Sequence, residues 1–393
     1  MKCEWKSILA KDFIEFNPKI TLKKGTITKK VAMDKVLPYT KYINEFEYAN
    51  YTGGSKFQNG DTIMARITPC LENGKTAFVD FLDENEIGFG STEFIVLRER
   101  KGISDAQYIY YLSISPQFRK IAINSMVGSS GRQRVQQSVL DELELFVPDI
   151  NEQRKIANIL NKIDEKIRIN NRINDNLEKQ IMAIFQHMFG EKNKNRKNIR
   201  ADEYFDISIG KTPPRKEPQW FSKNPSDYVW VSISDMGNCG LYIEDSSEHL
   251  SIDAVKMFNI KIVPDNTVIL SFKLTVGRVA ITDGYMTTNE AIAHFKTDKP
   301  KITEYLYCYL KNFNFQTMGS TSSIATAINS KIIKKMSFVV PTNEELEKFH
   351  NIAAPMFMLI KLNQRENKYM NELRDGLLPK LMSGEVDISN LNI

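Results

Sequence analysis

Apolar and polar residues alternate at Leu143, Leu145 and Val147, the period of a short half-buried strand, and the alternation stops at Pro148. Beyond the proline the period becomes helical. Steps of four and three from Ile156 meet Leu160, Ile163, Ile167, Asn170, Asn174, Leu177, Ile181, Ile184 and Met188. That is the seam of a coiled coil, with two asparagines in its middle. The same pattern returns 193 residues later, where LELFVPDINEQRKI (143–156) is echoed by MSFVVPTNEELEKF (336–349). Pro148 falls on Pro341, Glu152 on Glu345 and Lys155 on Lys348. The second seam reads Phe349, Ala353, Met356, Ile360, Asn363, Asn367, Met370, Arg374, Leu377 and Leu381, with its asparagines at the same two places.

Both helices carry a start signal. Asp149-x-x-Glu152 and Thr342-x-x-Glu345 have the capping-box spacing, in which the first side chain accepts a hydrogen bond from the third helical N–H. The seams are centred between their asparagines, so an antiparallel pair would set Asn170 beside Asn367 and Asn174 beside Asn363. Buried seam asparagines cost stability and fix register and direction. The pattern therefore predicts one intramolecular antiparallel coiled coil with pseudo-two-fold symmetry, about 60 Å long at 1.5 Å per residue. The alternative is that each helix packs only on its own domain. Pro355 predicts a kink or a late start in the second helix, and Gly376 and Pro379 weaken its far end. Lys192–Arg200 reads as a polar linker.

The stretches outside the helices, 1–147 and about 198–340, read as mainly β. Strand-like runs are Asp61–Ile67, Lys75–Val79 and Glu93–Leu97, then Thr267–Phe272, Arg278–Ile281 and Ala291–Phe295. Asn59-Gly60, Asn73-Gly74 and Asp283-Gly284 are placed for hairpin turns. Each half adds one helix, near Ala106–Ser125 and Thr303–Thr317. The halves share a frame, but Gly128–Arg134 stands opposite Thr321–Ala327, loops of different chemistry. The fold class is α+β, with two related β-rich domains joined by long helices.

Composition narrows the function. With 393 residues, 42% of them hydrophobic and 26% charged, the chain is globular and long enough for two cores. Lys and Arg number 53 against 48 Asp and Glu, a net +5 that is compatible with nucleic acid. No apolar run reaches a membrane span. Met1–Ala10 lacks the apolar core of a signal peptide, and the four cysteines form no metal or disulfide pattern. The expectation is a cytoplasmic, metal-free protein with no cofactor.

Catalytic motifs are missing as well. The one Pro-Pro, in Thr212–Arg215, lacks the aromatic residue of an amino-methyltransferase turn. There is no phosphate-binding glycine loop. Pro264-Asp265 is followed by Ser271-Phe-Lys273, where a metal nuclease needs a carboxylate in place of the serine. Gly128–Arg132 lacks the strand–turn–helix setting of a nucleophile elbow. DNA-binding chemistry is better represented. Arg132, Gln133 and Arg134 sit on a glycine-flexed turn, and such side chains fork onto guanine and adenine edges. Lys19–Lys35 holds six lysines and one acid, suited to phosphates. Lys211, Arg215, Lys216, Lys273 and Arg278 lie in or beside loops of the second half.

Three strings bring in a resemblance: Arg66-Ile-Thr-Pro-Cys-Leu-Glu-Asn-Gly-Lys75, Gly90-Ser-Thr-Glu-Phe-Ile-Val-Leu-Arg98 and Thr288-Asn-Glu-Ala-Ile-Ala-His-Phe295. With the duplicated strand–proline–helix boundary, the chain resembles the specificity subunit of type I restriction–modification systems. Leu346 in place of a second Gln153, and Pro355, depart from the pattern. The resemblance implies target recognition domains at 1–148 and, after a linker, 192–341. Spacer helices follow at 149–191 and 342–393. It implies a bipartite, asymmetric double-stranded DNA target, with Lys56, Arg66, Lys75, Ser91, Thr92 and Asn289 joining the candidate DNA-binding residues. The implied partners are adenine methyltransferase subunits, two of them, and motor-nuclease subunits, with exposed Lys155, Arg168 and Glu178 as docking residues. The other reading is a stand-alone DNA-binding or scaffold protein.

Overall fold

The computed structural model describes residues 5–190, 196–318 and 328–388. These divide into two compact units. Unit 1 contains residues 1–169 and 367–393, and unit 2 contains residues 170–366.

In unit 1, one sheet runs in the order Ile14–Phe16, Phe94–Glu99, Thr62–Ala65, Thr76–Phe78, with antiparallel neighbours. A second has the order Glu47–Asn50, Ile27–Val31, Gly88–Gly90, Ser55–Phe57. Of the apolar runs expected from sequence, 61–67 and 93–97 hold the buried central strands and 75–79 the buried last strand, because the faces of all three are covered. Unit 2 repeats this plan. Asp206–Ile209, Ile292–Lys296, Val268–Ser271 and Val279–Thr282 form a sheet extended by Tyr242–Ile243, and Phe221–Ser222, His249–Leu250, Tyr228–Val231 and Thr287–Thr288 form the other. A two-stranded clasp closes each unit just before its long helix: Lys6–Leu9 on Glu144–Val147, and Lys197–Arg200 on Ser337–Val340. The end of the expected linker is thus a strand, and residues 192–195 of that linker lie outside the described residues.

The long helices run from Ile150 to Phe189 and from Asn343 to Met382. Asp149 accepts from the Glu152 N–H at 3.0 Å. Thr342 and Glu345 cap each other reciprocally at 3.2 and 2.9 Å. All twenty seam positions read from the sequence are buried or half-buried. In unit 1, Ile156 and Leu160 share a core with Leu378 and Leu381, and Arg374 reaches Asp164 at 2.9 Å. In unit 2, Asn363 donates to Asn174 at 2.8 Å, Asn170 donates to Glu366 at 2.8 Å, and Phe189 meets Phe349 edge-on. Residue numbers rise along one helix as they fall along the other, so the pairing is antiparallel in both units. No described helix is long and apolar enough to cross a membrane.

Several local expectations are corrected. Pro355 does not delay the second helix. Pro355 is exposed, as is Asn351 one turn before it, so the proline ring and the bond it removes fall on the outer side of the helix. Gly376 and Pro379 likewise fall within the unbroken helix. The helix expected over 106–125 is two, Ala106–Ile114 and Pro116–Asn124, because Pro116 starts a new helix capped by Ser115. That expected over 303–317 ends at Asn312, before a 3₁₀ turn. Asn59-Gly60 and Asp283-Gly284 connect strands that do not pair with one another, so neither makes a hairpin.

Candidate nucleic-acid interface

Strand register decides which loops meet. In unit 1, Phe16 lies opposite Leu97 and Ala65 opposite Phe94, so the segments after Phe16 and Ala65 and before Phe94 emerge at one end of the sheet. Backbone bonds join them there, from Asn17 N–H to Val96 O at 2.7 Å and from Arg66 N–H to Glu93 O at 2.9 Å. A fourth segment, Val127–Arg134, folds back on itself and docks through Thr68. The Thr68 N–H donates to Gln133 O at 3.0 Å, and the Gln133 N–H donates to Thr68 Oγ1 at 2.9 Å. Unit 2 brings the matching segments together by the same route, from Gly210 N–H to Ile292 O and from Phe272 N–H to Ala291 O. The counterpart of the fourth segment, Thr321–Ala327, lies outside the described residues.

Sequence-chosen side chains collect on this end of unit 1. Lys56, Arg66 and Thr92 line one open cleft together with Asn17 and Ser55. Arg66 donates through Nη2 to Val135 O at 3.3 Å, while its buried Nε has no acceptor among the described residues. Arg132 is exposed at the tip of its turn, and its guanidinium has no partner among the described residues.

Other candidates are already engaged. Arg134 forks onto Glu93 at 2.6–3.0 Å, which holds that carboxyl below the usual range. It therefore braces the loop. Lys75 donates to Met33 O at 2.8 Å, Lys56 donates to Ile20 O, and Ser91 accepts from the Glu93 N–H. Of the six lysines in 19–35, Lys29 is buried against Asp83 and Glu86, Lys30 pairs with Glu47 and Lys35 with Glu45. Lys19, Lys23 and Lys24 remain exposed.

Unit 2 differs in chemistry. Arg215 lies over the rings of Phe221 and Trp230, which meet edge-on, at 4.3 and 4.5 Å from their centres, and is bound to Glu248 at 2.8 Å. Arg278 donates to Ile233 O and rests against Gly237, where a Cβ would come within 2.4 Å of its Nη1. Lys211 donates to Phe258 O, and Asn289 accepts from the Ala291 N–H. Lys216 and Lys273 are exposed. Next to Lys273 in the chain, Leu274 is 98% exposed, in a left-handed backbone conformation of φ 59°.

This duplicated plan of loops has a counterpart among known proteins. Residues 3–179 and 193–374 each match the family described as type I restriction modification DNA specificity domain. The chain belongs to that family. The type I restriction enzyme HindI specificity subunit of Haemophilus influenzae is 23% identical, over 84% of this chain and 87% of its own. The MjaIX specificity subunit of Methanocaldococcus jannaschii is 25% identical, over 73% of this chain and 70% of its own. A type I restriction–modification S subunit from M. genitalium shares the fold, with a TM-score of 0.55 at 17% identity over 96% of both chains. Two DNA specificity domains in one type I specificity chain fit a bipartite target, and such a subunit recognises DNA and does not itself catalyse.

Sequence reading missed how the specificity domains are tied to the helices. Arg168 and Glu178 were expected to be free for partners. Instead Arg168 pairs with Asp80 at 2.6 Å, while Glu178 accepts from the Tyr307 hydroxyl at 2.8 Å. Lys361 lies 193 residues after Arg168 and pairs with Asp283 at 2.9 Å. The repeat offset could have revealed these two cations.

Proposed function

We propose that this chain selects a bipartite, asymmetric double-stranded DNA site for a type I restriction–modification complex in the cytoplasm, each unit reading one half-site. The observation that carries the reading is the meeting of equivalent loops at the same sheet end in both units, with dissimilar side chains upon them. Equivalent frames place two readers, and dissimilar loops give two sequences. In unit 1 the cleft of Lys56, Arg66 and Thr92, with exposed Arg132 on the turn that docks through Thr68, supplies groups able to meet base edges and phosphates. Ser91, Gln133, Arg134 and Lys75 shape the loops around them. In unit 2 we assign exposed Lys216 and Lys273 to the duplex, with Lys211, Arg215, Arg278 and Asn289 holding their loops.

The recognition domains would span 1–148 and 192–341, with helical spacers at 149–191 and 342–393. The antiparallel helices would set the unread spacer. Asn170, Asn174, Asn363 and Asn367 would fix the register, a role supported by the Asn363–Asn174 bond. Adenine methyltransferase subunits, two per chain, and motor-nuclease subunits complete the assembly. Exposed Ile352, Met358, Leu359 and Leu362 on the second helix are apolar enough for a protein partner.

Base-resolution mapping of methyladenine in the host, with the gene intact and deleted, tests the reading. Deletion is expected to remove one gapped motif, and unchanged methylation would overturn it. Arg132→Ala is expected to relax one half-site by about 1–3 kcal/mol of discrimination and leave the other half unaltered. Methylation of oligonucleotides mismatched in one half at a time reads this directly.

A further inference from the structure

In both units the sheet edge meets the long helix through the same three-part contact. In unit 1 Tyr42 bridges to Phe78, and Asp80 follows two residues later. Arg168 on the helix donates to Asp80 at 2.6 Å and lays its guanidinium 4.1 Å above the Tyr42 ring. In unit 2 Tyr242 pairs with Ile281, and Asp283 again follows two residues later. Lys361 binds Asp283 at 2.9 Å with its ammonium 5.2 Å from the Tyr242 ring centre. A cation from the helix, an aspartate at the end of a strand and a tyrosine on the edge thus recur as a set. Their sequence offsets differ, at 193 for the cation, 203 for the aspartate and 200 for the tyrosine.

Unit 2 adds two further ties. Arg365 forks onto Asp283 at 2.6 and 2.7 Å. Gln364 accepts from the Tyr242 N–H and donates to its carbonyl, both at 3.0 Å, pairing with the edge strand as another strand would.

Apolar burial is non-directional and by itself would let a sheet slide or rotate on a helix. A charge-assisted bond with a cation over a ring, joined in unit 2 by a carboxylate fork and a two-point amide bond, is directional. We propose that Arg168–Asp80–Tyr42 and Lys361–Arg365–Asp283–Tyr242 are positioning clamps that fix the angle of each reading surface to the helices and thereby keep the DNA spacer strict. This rests on the bipartite-site reading. The clamps touch no base, so they govern spacing and leave the half-site sequences alone. Among the described residues Arg168 alone pairs with Asp80, while Lys41 meets this clamp only at the Tyr42 ring, at 5.6 Å, so unit 1 is the one that a single substitution should loosen.

The test uses the full chain assembled with its methyltransferase subunits in the host, with methyladenine mapped for wild type, R168A, D80N and K361A/R365A. Both half-site sequences should persist. Sites whose spacer differs by one base pair should gain methylation by about tenfold in R168A and D80N, the factor expected for a lost contact of this kind. R168K, which copies the cation of unit 2, should restore strict spacing. K361A alone should change spacing little, and K361A/R365A should change it as R168A does. If R168A does not assemble, D80N decides, since it keeps the shape and removes the charge. Strict spacing in every assembled variant would make the clamps merely structural and overturn the proposal. A wild type with no gapped motif would instead sink the bipartite reading, so the two failures are distinguishable.

Discussion

Asp164→Ala is expected to destabilise unit 1 by about 3–5 kcal/mol in urea unfolding, among the largest effects available to a single side chain here. Asp164 and Arg374 lie 2.9 Å apart with side chains only 4% and 7% exposed. Tyr111 also donates its hydroxyl to Asp164, at 2.6 Å. Removing the carboxylate leaves the buried guanidinium with only Asp375, an exposed carboxylate 2.9 Å away, and leaves a buried phenol without its acceptor. Asp375 meets Nε and Nη2 but leaves Nη1 and the phenol unpaired, so their desolvation cost falls on the folded state. Removing both charges behaves differently. Residues 193 positions away on either helix, Phe357 for Asp164 and Ile181 for Arg374, are apolar and fully buried in unit 2. The repeat itself shows that an uncharged pair fills this place. Asp164→Leu with Arg374→Met is therefore expected to unfold within about 1–2 kcal/mol of wild type, or above it. A double variant as unstable as Asp164→Ala would show that the loss comes from packing and not from an uncompensated charge.

That pair also shows how far the sequence can be read. Arg374 is conspicuous as a charge in an apolar seam, but its partner is one residue off the facing seam position, which only the helix geometry supplies. The seam, the capping boxes and the central strands were legible because each is a local pattern repeated at one offset. The helix break at Ser115 had a local signal in Pro116 that the apolar run Tyr108–Leu112 overrode. The candidate interface was less legible. Arg134 and Arg215 look like free cations in sequence, yet their neutralising carboxylates, Glu93 and Glu248, lie 41 and 33 residues away. Linear charge counting cannot see such pairs, because what joins them is strand register. Lys29 disappears into the fold for the same reason. What remains exposed near the gathered loops is a smaller set, led by Arg132, Lys216 and Lys273. The clamps escaped because insertions between strands moved the aspartate and tyrosine away from the offset that aligns the helices.

Acid should unfold unit 2 through one imidazole. His294 is fully buried in the central strand Ile292–Lys296, with Ser208 Oγ 3.0 Å from Nδ1 and Thr288 Oγ1 2.7 Å from Nε2. Each hydroxyl can donate or accept, so the two together meet both nitrogens of the neutral ring in either tautomer. Every polar atom of the neutral ring is satisfied, and no carboxylate is bonded to it. Burial then pushes the pKa down to about 3, with Lys296 adding to the shift. In the unfolded chain the imidazole takes up its proton near pH 6.5, while the folded chain refuses it until about pH 3. The stability due to the neutral ring is thus present above pH 6.5 and is lost as the pH falls toward 3, by about 4–5 kcal/mol in all. His249 is shifted the opposite way: against the cost of its burial, Asp245 and Asn224 O favour the charged ring, and it offsets part of this loss. His294→Gln keeps a hydrogen-bonding side chain that does not titrate. Followed by the fluorescence of Trp220 and Trp230, the wild-type unfolding free energy should fall more steeply than that of the variant between pH 6.5 and 3. Parallel pH profiles would mean that His294 is already charged in the folded protein. The paired carboxylates Asp283 and Glu345 would then account for the acid transition.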